Sequence, residues 1–405
     1  MLYSLHEWQH AMLAPVNALA KTHRELFSHP FSPLTYHPFS NNIAAGADLL
    51  QRLTTRYDKP EWGIEHTFID GEEVAVAIRV ALDLPFCKLL HFERAVQRDD
   101  PRVLVVAPLS GHFATLLRDT VRGLLPDHDV WITDWMDARM VPVTAGEWHL
   151  ADYVDYVRAF IRHLGNDLHV MSVCQPTVPV LAAIALMAAD DEPVKPRTMI
   201  MMGGPIDARR SPTAVNNLAT KHPISWFERN LIHRVPGKYP GFMRRVYPGF
   251  LQHLGFVAMN PDRHADAHWD YYLHLVAGDG DSAQAHRRFY DEYNAVLDMP
   301  AEYYLDTIRT VFQEFALPEG RMQVRGEPVR PQAITRTALL TIEGELDDIS
   351  GSGQTEAAHA ICTGIAARHR EHFTAPRVGH YGIFSGRKWR EVVCPRVRDF
   401  IRRHA

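Results

Sequence analysis

The sequence predicts an α/β fold with a mainly parallel, doubly wound sheet, and three observations carry that prediction. Short apolar runs alternate with helix-like segments up to Met202, the alternation stops between Pro205 and about Pro331, and it resumes at Ala338. Strand–helix alternation favours parallel strands joined by crossover helices. A long interruption inside a pattern that later resumes reads as an inserted cap over the strand ends.

The elements follow in order. Residues 1–60 read as a helical arm, with Leu2, Leu5, Trp8, Met12 and Val16 at helical steps of three and four. Packing against the chain's own domain or a sister subunit is the expected fate of that stripe, and docking to a hydrophobic particle is the alternative. Helix resumes from about Ala44. HTFIDGEEVAVAIRVALD reads as two strands turning at Asp70-Gly71. Strands then fall at Val103–Ala107, Asp129–Asp134, Leu168–Val173, Thr198–Met202, Ala338–Ile342 and near Glu371–Pro376. Helices fall near Phe113–Leu125, Trp148–Leu164, Val178–Ala189, from about Thr355, and near Trp389–Arg403. The expected domains are the arm 1–60, a core of 61–204 with 332–405, and a helical cap over 205–331. The stretch from Trp226 to Phe315 holds 17 of the chain's 40 aromatic residues, so the interruption is aromatic-enriched as well as strand-poor.

Composition narrows the function. Apolar residues form 46% and charged residues 22% of the 405, an ordinary globular balance with enough length for a large core. The net charge of -5 argues against nucleic acid. No run approaches the ~18 apolar residues of a membrane span. The N-terminus lacks the unbroken apolar run of a signal peptide. The cytoplasm, with reduced thiols, is therefore the expected location. The four cysteines form no CxxC pair, so no metal is expected, and no cofactor either.

The chemistry centres on Cys174. It follows the apolar strand LHVMSV and precedes Gln175-Pro176, which opens a helix. A nucleophile on such a strand–turn–helix elbow points into the crevice at the sheet's C-terminal edge. The helix N-terminus beside the sulfur favours thiolate. The usual elbow has small residues two before and two after the nucleophile; here they are Ser172 and Pro176. Serine is small, and proline suits a first helical turn. A buried structural cysteine is the plainer alternative.

In the α/β-hydrolase fold an acid and then a histidine follow the nucleophile in chain order. The strand ALLTI runs into Glu343-Gly344-Glu345-Leu346-Asp347-Asp348, where a GxxD turn selects Asp347, with Asp348 a close rival and Glu345 a weaker one. Gly379-His380 precedes the final helix, where the base belongs. His380 would take the thiol proton and later activate water, with Asp347 fixing its tautomer. The Gln175 backbone N–H, with that of Leu109 or Ser110 in the loop after VLVVA, would form the oxyanion hole. His112, Trp135 and Trp226 are candidate substrate contacts. Their plainer readings are a structural histidine, a capped strand end and cap core.

The stretches MLYSLHEWQ, SVCQPTVPVLAA, FYDEYNAVLDMPAEYYLDTI, TIEGELDDISGSGQT and VGHYGIFSG resemble the intracellular poly(3-hydroxybutyrate) depolymerases over nearly the whole chain. That resemblance implies a thiol hydrolase that attacks amorphous polyhydroxyalkanoate on cytoplasmic granules. It gives Cys174, Asp347 and His380 the catalytic roles. An uncharged polyester needs an acyl-transfer site with apolar walls, which an aromatic cap supplies. Two rival readings remain: a polyester synthase-like acyltransferase, which would carry GxCxG at the elbow, and a non-catalytic granule protein. Oligomeric state is left open by the sequence, and the amphipathic arm would suit a homodimer.

Overall fold

The computed structural model describes residues 2–405. Nine strands form one sheet: β1 (His66–Ile69), β2 (Glu72–Leu84), β3 (Cys87–Arg94), β4 (Arg102–Val106), β5 (Asp129–Trp135), β6 (Leu168–Val173), β7 (Thr198–Met202), β8 (Ala338–Gly344) and β9 (Arg370–Ala375). Their order is β1-β2-β3-β5-β4-β6-β7-β8-β9. The first three strands run antiparallel to their neighbours. The six strands from β5 to β9 in that order pair in parallel. This is the mainly parallel, doubly wound sheet of the α/β-hydrolase fold.

Strands β6, β7 and β8 are buried along their whole length, as expected of parallel strands covered on both faces. Helices α3 (Arg118–Leu124), α4 (Leu150–Leu164) and α5 (Thr177–Ala189) fill the crossovers of this half. Only α4 is distinctly amphipathic: Tyr153, Val157, Phe160, Ile161 and Leu164 face the sheet. By contrast α5 is apolar all round, and its Ala-rich stretch from Thr177 to Met187 is buried. Asp70 and Gly71 both take positive φ, 52° and 89°, which suits the tight β1–β2 turn.

Between β7 and β8 lie α6 (Ala214–Lys221), α7 (Ile224–Leu231), α8 (Gly249–Met259), α9 (Pro261–Ala277), α10 (Gly280–Asn294) and α11 (Ala301–Thr307). This region was expected to lack strands. It holds a small antiparallel sheet of His233–Arg234, Arg245–Tyr247 and Met299–Pro300, together with a ribbon pairing Gln323–Val324 with Glu327–Pro328. These two- and three-residue strands are too short to leave an alternating pattern. The cap is tied down at the strand ends: Leu297 donates its N–H to Gly111 O (2.7 Å) and Ala138 to Asp298 O (3.0 Å).

Other expectations need correction. A third antiparallel strand, β3, was not anticipated, and Cys87 is its first residue. The helix expected from Thr355 shrinks to α12 (Ala358–Ile361), because Thr355 and Glu356 give their N–H groups to the buried Glu343 carboxylate (2.7 and 2.9 Å) instead. The C-terminal helix α13 (Cys394–His404) keeps its arginines at the surface, where Arg402 pairs with Asp127 and Arg403 with Glu371.

The arm is the largest departure. Helix α1 (Leu2–Ser28) turns its polar side inward. Tyr3 donates to Asp298 (2.6 Å), Asn17 to Gln51 O (2.8 Å), and Arg24 pairs with Asp48 (3.2 Å) in helix α2 (Ser40–Thr54). The predicted apolar stripe faces out: Leu5 is 56%, Trp8 61% and Met12 59% exposed, and Leu19 continues it at 61%.

Glycine is required where β7 passes beneath the elbow. A Cβ on Gly204 would sit 1.9 Å from Thr177 Oγ1 and 2.4 Å from the Cys174 carbonyl oxygen. Gly204→Ala should therefore destabilise the fold by about 1–3 kcal/mol, read as a lower urea midpoint. An unchanged midpoint would show that the elbow does not depend on this close approach.

Candidate active site

Strands β4 to β9 deliver their C-terminal ends to one edge of the sheet, and the candidate residues follow those ends. Cys174 leaves β6 with φ 68°, a left-handed conformation rare for a residue with a side chain. Its backbone N–H is held by Met202 O of β7 (2.7 Å), and α5 begins three residues later. The strained turn lifts the sulfur off the sheet beside the α5 N-terminus. Of the four thiols, Cys174 is partly exposed, while Cys87, Cys362 and Cys394 are buried. Burial pushes Cys362 and Cys394 up to about 12 and Cys87 well above its ordinary range. Those three are poor nucleophiles at neutral pH.

His380 stands on the loop after β9, 5% exposed. Its Nδ1 lies 2.7 Å from Asp347 Oδ2, and the Cys174 side chain is its other side-chain partner. With Nδ1 committed to the carboxylate, Nε2 is left for the sulfur. Asp347 is fixed by its second oxygen, which accepts from the N–H groups of Ile349 (2.9 Å) and Ser350 (2.8 Å). The rivals point elsewhere. Exposed Asp348 accepts from Asn260 (3.1 Å), and Glu345 accepts from the Arg377 N–H (2.7 Å). Burial pulls the His380 imidazole down, but the Asp347 carboxylate and the Cys174 sulfur outweigh it and hold the ring well above its ordinary value of 6.5.

The backbone N–H groups of Gln175, Leu109 and Ser110 donate to no protein acceptor among the described residues. Gln175 directly follows Cys174, and Leu109 and Ser110 follow β4, the strand paired with β6. Gly111 has φ 112°, and a Cβ there would lie 2.8 Å from Gln252 Oε1, so the loop closes tightly under the cap. His112 is 4% exposed, with Nε2 3.2 Å from Tyr293 O and its ring stacked on Phe256. Burial pushes it down to about 4, so it stays neutral at ordinary pH.

The two tryptophans fall apart. Trp135 is 1% exposed, donates its indole N–H to Ala107 O (2.8 Å) and packs on Tyr153, so it is chiefly a pillar beneath the loop that follows β4. Trp226 stacks on His222 and meets Phe227 within the cap, and none of its ring partners is a triad residue. Sequence reasoning missed a tyrosine wall. Burial first, and then a charge on the nearby Cys174, hold the phenols of Tyr153, Tyr303 and Tyr381 protonated well above their ordinary range. The Tyr303 hydroxyl is buried without a partner. No signal singled these residues out from other cap aromatics.

Raised as it is, the His380 charge stabilises the fold fully below the ordinary imidazole value, and that contribution is lost as pH rises through the raised value. Asp347→Asn should therefore lose most stability near about pH 6, with the gap to the parent narrowing at alkaline pH in thermal melts. The same variant should lower kcat on a soluble ester about 10²–10⁴-fold, whereas Asp348→Asn should leave kcat nearly unchanged. Equal losses in both would overturn the choice of acid.

Among structures of known proteins, the chain superimposes on an esterase from Thermogutta terrifontis (13% identity, 87% of this chain and 100% of that one, TM-score 0.42). It also superimposes on a putative lipase from Acinetobacter baumannii (11%, 89% and 97%, 0.43) and a monoacylglycerol lipase from Paleococcus ferrophilus (11%, 75% and 95%, 0.42). No curated protein shows significant sequence similarity. The fold assignment rests on the strand order, and the family on the sequence that follows β7. Residues 203–405, which carry the cap, Asp347 and His380, match the family model described as PHB de-polymerase C-terminus, and the chain belongs to that family of ester hydrolases.

Proposed function

We propose that the chain depolymerises amorphous poly(3-hydroxybutyrate) through an acyl-cysteine intermediate, with Cys174 as nucleophile, His380 as base and acid, and Asp347 as the orienting carboxylate. The observation that carries this reading is the Asp347–His380 pair (2.7 Å) with the left-handed Cys174 near enough to act on the ring. A buried structural cysteine needs no such partner.

The Cys174 sulfur, its proton held on His380, attacks the ester carbonyl, and a C–S bond forms. The oxyanion settles against the Gln175 N–H and a donor from Leu109 or Ser110. When the tetrahedral adduct collapses, the C–O bond breaks and His380 returns its proton to the departing hydroxyl end. Water, deprotonated by His380, then attacks the thioester, and the thiolate leaves. A carboxylate-ended fragment and a hydroxyl-ended fragment result. The tyrosine wall gives the apolar surroundings that suit an uncharged polyester.

The arm supports a particulate substrate. An amphipathic helix with its polar side packed and its apolar side in solvent lowers its free energy by meeting an apolar surface. Trp8 and Met12 on α1, Leu53 on α2 and Trp269 on α9 all stand more than half exposed. In this reading they seat the protein on a polyester granule in the cytoplasm, and the apolar face needs no second copy of the chain.

Incubation with amorphous polymer should release soluble 3-hydroxybutyrate or its oligomers, and Cys174→Ala should abolish release. Growth of polymer from 3-hydroxybutyryl-CoA would favour the acyltransferase instead. A combined Leu5→Ser, Trp8→Ser, Met12→Ser variant should lower release from particles about tenfold or more while soluble-ester turnover stays level. Equal activity on particles would remove the arm from substrate docking.

A further inference from the structure

A cavity of about 700 Å³ lies outside the triad, between the arm, the cap, the start of β3 and the C-terminal end of β5. Its floor is apolar: Phe113 from the oxyanion loop, Trp135 and Met136 at the end of β5, and Met140. Its rim is basic. Arg56, Lys59, Lys88, Arg139 and Lys238 line it, against the acids Asp58, Asp134 and Asp137.

Part of that charge is already paired. Lys59 meets Asp134, and Glu7 of the arm takes both Arg56 and Lys238. Arg139 differs. Its side chain is 15% exposed, its Nε meets Asp137 Oδ2 (2.8 Å), and its guanidinium lies over the Tyr239 ring. The two terminal nitrogens donate to no protein acceptor among the described residues. Two buried carboxylates, Asp137 and Asp298, face that charge, and burial followed by the Asp298 charge pushes the Asp137 carboxyl up to about 7. A forked cation whose outer donors lack protein partners, above an apolar floor, fits a planar anion carried on an aliphatic chain.

We propose that this cleft binds the terminal carboxylate of an aliphatic chain, with the Arg139 fork on the carboxylate, Lys238, shared with Glu7, at the rim and the chain along Phe113, Trp135 and Met136. The occupant rests on the proposed activity, since ester hydrolysis creates such a carboxylate at every cut. Two sources share this chemistry: the carboxyl end of an oligomer or polymer, and the released monomeric acid. Phe113 and Trp135 place the cleft on the sheet edge that also carries Cys174.

The test uses the full chain carrying Cys174→Ala, so that no ligand is consumed, titrated by calorimetry at low ionic strength. Hexanoate should bind at least about tenfold more tightly than 1-hexanol. That preference should fall about tenfold in Arg139→Lys and in Lys238→Met. Lys238 is about half exposed, so its variant tests the cleft even if the change at Arg139 prevents folding. Equal binding of hexanoate and hexanol, or a preference unchanged in Lys238→Met, would overturn the proposal. The 3-hydroxybutyrate trimer acid binding more tightly than both its methyl ester and 3-hydroxybutyrate supports the cleft and assigns it to chain ends. Equal affinity for trimer acid and monomer, both above the methyl ester, supports it and assigns it to the released acid. Hexanoate binding is independent of polymer hydrolysis, so an anion-selective cleft in a chain that releases nothing from polymer would retire the activity and leave the cleft standing.

Discussion

One backbone conformation sets the terms for the rest of the molecule: the left-handed turn at Cys174, φ 68°. A non-glycine residue held there costs about 1–3 kcal/mol. The cost is offset from both sides. Ahead of it β6 is buried throughout, and behind it α5 is buried along nearly its whole length. The Met202 carbonyl clamps the Cys174 N–H, and Gly204 lets β7 pass with no Cβ in the way. Strand and helix are too tightly packed for the turn between them to relax. The turn in turn keeps one sulfur out of the core that encloses the other three.

The electrostatics follow from that placement. Only carboxylates with dedicated donors are at ease inside such a site. Asp347 has two backbone N–H groups on one oxygen and the imidazole on the other. That arrangement lets a buried histidine keep its proton against desolvation. His112, equally buried but without a carboxylate, is driven neutral. Two histidines at the same edge of the sheet thus take opposite charge states for a reason visible in their partners.

Much of this was legible in the sequence because full burial leaves a strong trace. The runs LHVMSV, TMIMM and ALLTI become β6, β7 and most of β8, and Asp70-Gly71 makes the first turn. Strand β3 was hidden because Lys88, His91, Glu93 and Arg94 break its apolar run, and its pairing with β5 is non-local. The periodicity of the arm was read correctly, but its orientation was not. A periodic stripe shows that a helix has two faces; which one meets the protein depends on partners such as Asp48, Gln51 and Asp298, brought there only by folding. Asp347 and Asp348 were separable only by hydrogen bonding. Tyr303 lay within a stretch that invited attention, yet its unpaired hydroxyl exists only once α11 docks beside the elbow.

The central claim is that the Cys174 sulfur becomes covalently acylated during turnover. The most direct measurement is mass spectrometry of the unmutated chain, acid-quenched during reaction with a soluble 3-hydroxybutyrate oligomer and digested to peptides. The account predicts a transient gain of one or more 3-hydroxybutyryl units on the peptide that carries Cys174, absent when His380 is replaced by alanine. Turnover that proceeds with that peptide unmodified at every quench time, or with the acyl group on another residue, would contradict it.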